Sequence, residues 1–222
     1  TRFFRWRNYK DYGTGVAGDL FVHAFSSLNY ILSSNGPTRA LSTGGLRYWK
    51  DGRDVPDVTL TLYDYPKTNT HAAFNASFRV NFIAGYGGGG GFKIIGTEGA
   101  MEINESSVKL TRAKLNMIPI SYSMISHTEE SQKKIKDAYA QKNLESRESS
   151  LNIGETMYEA PKNYKGSHYD HFYNFFQSIR NKKVVVEDPT FGLRAAGAAL
   201  LANEGYYQGK AVDWDPDSMK LL

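Results

Sequence analysis

A run of short segments with strand character constrains the fold of this 222-residue chain most. Between residues 39 and 111, apolar and polar side chains alternate over short stretches, and turn residues separate the stretches. Consecutive strands joined by short turns pair antiparallel, because a parallel pair needs a much longer crossover connection. The pattern therefore predicts an antiparallel meander, with strands at residues 39–49, 57–65, 71–83, 92–95, 100–103 and 108–111.

Segments whose apolar side chains recur at helical spacing lie on both sides of this meander in the sequence. The first such helix is predicted at residues 15–33 and the second at 166–181, where the face formed by Phe172, Phe175, Phe176 and Ile179 is expected to be buried. The third begins with Asp188 as its N-cap, has Pro189 at its first position and ends near Gln208.

The remaining segments have weaker patterns. A polar helix is expected at residues 129–143, a strand at 2–7 and a long loop at 146–164. Together the segments predict one α+β domain over residues 1–222, a mainly antiparallel sheet with helices packed on one face.

The composition excludes several classes of site. The chain has no cysteine, which rules out disulfides, thiolate nucleophiles and Cys-ligated zinc or iron–sulfur centres. The net charge of +4 is mild, and the basic runs stand beside acidic residues, so we interpret them as solvated surface rather than a nucleic-acid site. No apolar run approaches the ~20 residues of a membrane span. No signal peptide is recognised and the chain starts at Thr1, as a piece cut from a longer protein would; cytoplasm and periplasm both remain open.

Asp19 and His23 form the first candidate site. They stand four residues apart on the first predicted helix, so their side chains share one face. A carboxylate beside an imidazole fixes its tautomer and suits it to accept a proton from a substrate hydroxyl. The alternative is a pair that only seals the helix against the sheet. A metal site is not expected, because one imidazole and one carboxylate are too few ligands.

The segment that leads into this helix alternates cations with aromatic rings. Such a loop can offer stacking faces and hydrogen-bond donors to a sugar or polyol, and the candidate substrate-binding residues are Arg5, Arg7, Tyr9 and Tyr12. The alternative is a strand with a solvated outer face and Trp6 in the core. The three tryptophans (Trp6, Trp49 and Trp214) are more typical of core or rim positions than of binding platforms.

The glycine run at residues 85–91 contains G-x-G-x-x-G but is not interpreted as a dinucleotide site. That motif needs a helix after it, so that the helix N-terminus can receive the pyrophosphate. Here the strand-like residues 92–95 follow. A hairpin tip is the better interpretation.

Four segments in a fixed order resemble a known family. Residues 18–23 (GDLFVH) are similar to the D-x-x-x-H helix of the glucose–fructose oxidoreductase, inositol dehydrogenase and rhizopine-catabolism (Gfo/Idh/MocA) family, and residues 96–103 (GTEGAMEI) to its G-T-E-G-x-x-x-I hairpin. Residues 171–180 and 201–216 resemble its usual ending. One departure is Ser26, where many members have an aspartate, which leaves the substrate class open.

The resemblance covers the second half of such an enzyme. It implies a substrate-binding and oligomerisation domain of an NAD(P)-dependent sugar or polyol oxidoreductase, with His23 as the proton acceptor and Asp19 as its helix partner. NAD or NADP would be bound mainly by a Rossmann half that this sequence lacks, so the chain alone should be inactive. The resemblance also implies an open-faced sheet, whose open face is expected to form a homo-oligomer.

Two other functions remain open. Some relatives use NAD to cleave glycosides by oxidation and elimination, and they would release sugar without net NADH. The other alternative is not an enzyme but a non-catalytic carbohydrate-binding or scaffold domain, and the high aromatic content supports it.

Overall fold

The computed structural model describes residues 2–83, 90–112, 122–142 and 154–222, except the side chains of Tyr122 and Lys142. Contacts divide the chain into two compact units, the first formed by Thr1–Gly88 with Lys165–Leu222 and the second by Gly89–Tyr164. Each unit combines helices with an antiparallel sheet, which confirms the predicted α+β class, although the strands form two sheets rather than one.

The described strands and helices, in chain order, have the following bounds. The strands are β1 (Arg39–Gly45), β2 (Val58–Tyr65), β3 (Phe74–Asn81), β4 (Phe92–Gly96), β5 (Gly99–Ile103), β6 (Ser107–Arg112), β7 (Glu155–Glu159), β8 (Val212–Asp215) and β9 (Lys220–Leu221). The helices are a 3₁₀-helix (Phe3–Asn8), a π-helical turn (Ala17–Phe21), α1 (Val22–Leu32), α2 (Tyr122–Ile125), α3 (Glu129–Lys142), α4 (Ser167–Asn181) and α5 (Pro189–Gln208).

The first unit is a five-stranded sheet in the order β3-β2-β1-β8-β9, with α5 packed on β1 and against α1. Its core lies between α1 and the sheet, where the Phe25 ring stacks on Phe78 at 4.5 Å and meets the edge of Tyr63 at 4.9 Å. Along β2 the buried face carries Thr59, Thr61, Tyr63 and Tyr65. The leucines of the sheet therefore lie on its other, open face.

The second unit is a four-stranded meander in the order β4-β5-β6-β7, described together with α2 and α3. The prediction of a continuous loop at 146–164 is wrong for β7, which pairs antiparallel with β6. Its sequence, ETMYE, is too polar to signal a strand alone. The strand forms because it completes an edge, where the Lys109 ammonium lies 2.7 Å from the Glu155 carboxylate.

Two further predictions are wrong, and both fall in the first unit. Residues 3–8 form a 3₁₀-helix rather than a strand, because local turns take up their backbone groups; the Tyr9 N–H, for example, donates to the Trp6 carbonyl at 3.1 Å. The four apolar residues of α4 expected to be buried are 47–60% exposed. The helical spacing identifies the apolar face correctly but does not say what covers it.

The helix ends follow their predicted signals. The Asp188 carboxylate accepts from the Phe191 N–H at 2.8 Å, and Gly209 closes α5 with a positive φ of 64°. Residues 85–89 of the glycine run lie outside the described residues. In the described part of the chain, no helix is long and apolar enough to cross a membrane.

Candidate functional site

The helix that carries Asp19 and His23 contains a π-helical turn near its start, Ala17–Phe21, and continues as α1. Gly18 is required in this turn, because a Cβ there would collide with the side chain of Thr14. Single π turns inside α-helices are rare and occur frequently at functional sites.

Asp19 pairs with Arg7 rather than with His23. The Arg7 Nε donates to both carboxylate oxygens of Asp19 at 3.0 Å. A guanidinium is always charged, and its hydrogen bond to a carboxylate is stronger than one from a neutral imidazole. The pair joins the N-terminal segment to the first turn of the helix.

His23 lies on α1 with its side chain exposed. Within the described residues its imidazole has no hydrogen-bond partner, while its carbonyl accepts from the Ser27 hydroxyl at 3.1 Å. The ring is therefore not enclosed by the core, and a molecule outside the helix can reach it.

A cavity of about 370 Å³ opens between the N-terminal segment and the loop that joins β1 to β2. The structure brings two of the predicted substrate-binding residues, Arg5 and Arg7, to this cavity. Its lining is Phe4, Arg5, Trp6, Arg7, Asn8, Trp49, Asp51 and Arg53.

Tyr9 and Tyr12 do not line the cavity. Their rings lie beneath the Arg2 guanidinium, at 4.4 and 5.6 Å from its central carbon. Arg2 in turn lies 3.2 Å from Asp11. The two tyrosines therefore belong to a neighbouring cluster of cations and rings, and their predicted substrate role stays a prediction.

The β1–β2 loop is the part of the site that the sequence analysis missed. The fully buried Asp57 carboxylate accepts from the backbone N–H groups of Arg47, Tyr48 and Trp49, at 2.8–3.0 Å. Burial raises the pKa of Asp57, but these three bonds and the charge of Arg53 together outweigh burial, and the net pKa is lowered. The sequence feature that could have predicted this loop is the position of Asp57, which follows a turn-rich loop and stands just before a strand.

The same loop is joined to the N-terminal segment by two hydrogen bonds of Asp54. The Asp54 N–H donates to the Asn8 carbonyl at 3.2 Å, and the Asp54 carboxylate accepts from the Lys10 N–H at 2.8 Å. These bonds set the two walls of the cavity opposite each other.

Charged side chains and indole rings face the cavity from both walls. Arg53 donates from Nε and Nη2 to the two oxygens of Asp51, each at 2.8 Å. The Arg53 side chain lowers the pKa of Asp51 to about 2, so this carboxylate is ionised at neutral pH. Arg53 lies 5.1 Å from the Trp49 ring, and Arg7 lies 4.2 Å from the Trp6 ring.

Residues 1–202 match the family model of the C-terminal alpha/beta domain of the Gfo/Idh/MocA oxidoreductases. The chain belongs to this family. No curated protein matches the sequence.

Solved structures share this fold at low sequence identity. A levoglucosan dehydrogenase bound to NADH and L-sorbose has a TM-score of 0.63 at 16% identity, over 94% of this chain and 52% of the other. An NAD-binding oxidoreductase from Klebsiella pneumoniae has 0.61 at 14%, over 94% and 53%. An oxidoreductase from Agrobacterium radiobacter, in complex with NAD⁺, L-tartaric acid and magnesium, has 0.56 at 12%, over 90% and 49%. The chain spans about half the length of these proteins.

Proposed function

We propose that this domain binds the substrate of an NAD(P)-dependent oxidoreductase that acts on a sugar or another polyhydroxylated small molecule. The observation that carries the proposal is the cavity, which holds two indole rings and two guanidinium groups with unused donors. One of these guanidinium groups, that of Arg7, bonds Asp19 on the helix that carries His23. Aromatic faces and directional donors are what a polyol needs for recognition. Structural relatives bound to L-sorbose, levoglucosan or L-tartaric acid support this substrate class.

In this proposal His23 accepts the proton of the substrate hydroxyl. Its imidazole is exposed and free of partners in the described residues, so it can take a proton from a bound ligand. The bond to Asp19 holds Arg7 at the cavity rim, where Arg7 can orient the substrate. Asp19 is thus proposed as a positioning residue that acts on the substrate through Arg7, in addition to any effect on the imidazole.

The nicotinamide cofactor, when bound, supplies the hydride acceptor. In the described part of the chain no strand, glycine loop and helix follow one another as a pyrophosphate site requires, so we assign the nucleotide to another part of the protein. The residues of this domain fit the substrate end of the reaction. They bind and orient the hydroxyl and receive its proton.

The test compares His23→Asn with His127→Asn in the full-length gene product. Loss of a general base should lower kcat by about 100-fold or more, while the exposed His127 of the second unit serves as the matched control. Undiminished turnover of the His23 variant would contradict its assignment. Coenzyme reduction and sugar release are followed together, because released sugar without net NADH would identify the glycosidase reaction instead.

The open face of the first sheet supports self-association. Leu41 and Leu62 face each other across β1 and β2, and together with Leu60 they are 46–57% exposed. A contiguous apolar patch of this kind marks an interaction surface. We infer a homo-oligomer through this face; light scattering should show the wild type as an oligomer and Leu62→Arg as a smaller species, and a monomeric wild type at high concentration would contradict it.

A further inference from the structure

The cavity offers many free hydrogen-bond donors and few free acceptors. Arg5 has one side-chain hydrogen bond among the described residues, 3.5 Å from Nη1 to Asp51 Oδ2, and 63% of its side chain is exposed. Arg7 bonds Asp19 through Nε, which leaves its two terminal nitrogens as donors. The cavity therefore holds cationic donors that no group of the described residues satisfies.

The carboxylate acceptors of the cavity are already used. Asp51 Oδ1 accepts from Arg53 Nε at 2.8 Å and from the Arg53 N–H at 3.4 Å, while Oδ2 accepts from Arg53 Nη2 and, at longer range, from Arg5. Asp57 does not line the cavity, and its carboxylate already accepts three backbone hydrogen bonds. Among the lining side chains of the described residues, the amide of Asn8 is the one with a free acceptor.

This imbalance distinguishes two kinds of ligand. A hydroxyl group is both donor and acceptor, so each hydroxyl buried in the cavity would need an acceptor for its proton. An oxyanion needs donors alone, and a guanidinium presents them in a fork that matches a carboxylate or a phosphate. Arg7 also covers one face of Trp6, so charge and aromatic surface lie within one wall.

We propose that the cavity binds the oxyanion of a polyhydroxylated acid, with Arg5 as its main partner and the Arg53–Asp51 pair as a rigid second wall. This inference rests on the proposed function and deepens it, because it names the substrate class as a sugar acid or sugar phosphate rather than a neutral sugar. Asn8 would then bind a hydroxyl near the charged end. Trp49 and Arg53 become specificity-determining residues.

The test measures binding to the full-length protein, loaded with nicotinamide coenzyme, by calorimetry. D-gluconate, D-glucitol 6-phosphate and D-glucitol are the probes, because they share one carbon skeleton and differ in charge. Wild type should bind at least one charged probe about tenfold or more tightly than glucitol. Arg5→Gln should abolish that preference, because it should weaken binding of the charged probe far more than binding of glucitol. Arg39→Gln, an exposed arginine on the open sheet face, should keep it.

A second readout locates the ligand in the cavity. In protein labelled with 5-fluorotryptophan, and assigned with Trp→Phe variants, the charged probe should shift the ¹⁹F signals of Trp6 and Trp49. Trp214 is buried in the first unit, so its signal should stay in place. A probe that moves Trp214 alone would place the ligand elsewhere and overturn the proposal.

The outcomes separate the two proposals. Preference for gluconate identifies a carboxylate and preference for glucitol 6-phosphate a phosphate; either supports the oxyanion site. Equal affinity for all three probes, no binding of any probe, or an Arg5→Gln variant that weakens coenzyme binding instead would overturn it. The His23→Asn result is independent of these, since it reports on proton transfer rather than on the charge of the ligand.

Discussion

Helices α4 and α5 follow each other in the first unit, and both have apolar faces, yet they differ in burial. On α5 seven residues are buried, and six of them are alanine or glycine, namely Ala195, Gly197, Ala198, Ala199, Ala202 and Gly205, with Leu201 as the seventh. On α4 no residue is buried, and its apolar side chains are large aromatic rings.

The difference follows from side-chain size. Small residues let the α5 backbone approach β1 and α1 closely; a Cβ at Gly205 would already lie 3.4 Å from Ser42 of β1. A face of aromatic rings needs a second surface of similar area to be stabilised. We propose that the part of the full-length protein outside this chain, here called the other half, supplies that surface to α4, since the structural relatives are about twice as long as this chain.

Removing a large side chain from the buried face of α5 should have the largest effect. Leu201 is 1% exposed, so Leu201→Ala should lower the free energy of unfolding by about 2–5 kcal/mol through lost burial and the cavity left behind. Urea denaturation followed by circular dichroism measures the change. A loss below about 1 kcal/mol would mean that α5 is not packed as described.

Adding a methyl group to α5 should have a smaller effect whose sign depends on the position. A Cβ at Gly197 would lie 2.8 Å from the Trp214 ring, so Gly197→Ala should destabilise the first unit by about 1–3 kcal/mol. At Gly192 of the same helix nothing lies within 4 Å, and Gly192→Ala should stabilise by about 0.5–1 kcal/mol through helix propensity. Effects of the same sign at both positions would contradict this packing.

How much the sequence predicted depends on whether a signal is local. The caps at Asp188 and Gly209 and the strands of the meander were predicted, because capping and alternation are written in neighbouring residues. β7 was missed, since its pairing with β6 joins residues far apart in the chain. The burial of α4 was predicted wrongly for a related reason, because an apolar face does not identify its partner.

In the candidate site, too, the residues with local sequence signals were predicted and those placed by long-range contacts were not. Local sequence patterns and the family resemblance together predicted Asp19, His23, Arg5 and Arg7 as site residues, but they could not show that Asp19 would bond to Arg7. Trp49, Asp51 and Arg53 lie at the cavity because Asp57 and Asp54 hold their loop in place, and the bonds from Asp54 to Asn8 and Lys10 join residues far apart in the chain. The residues that give a site its specificity are therefore harder to predict than the residues on one helix face.

Truncating an aromatic ring on α4 should have the smallest effect on the stability of this chain. The substitution tests whether the exposed face of α4 is covered in the full-length protein. Phe176 is 47% exposed, and Phe176→Ala should change the free energy of unfolding by no more than about 0.5 kcal/mol. In the full-length gene product the same substitution should cost more than about 1 kcal/mol, because the ring would then be buried against the other half. Leu193→Ala on the exposed side of α5 is the matched control and should be small in both proteins. If Phe176→Ala is equally small in both, the aromatic face of α4 is not where the halves meet, and its exposure would need another partner to explain it.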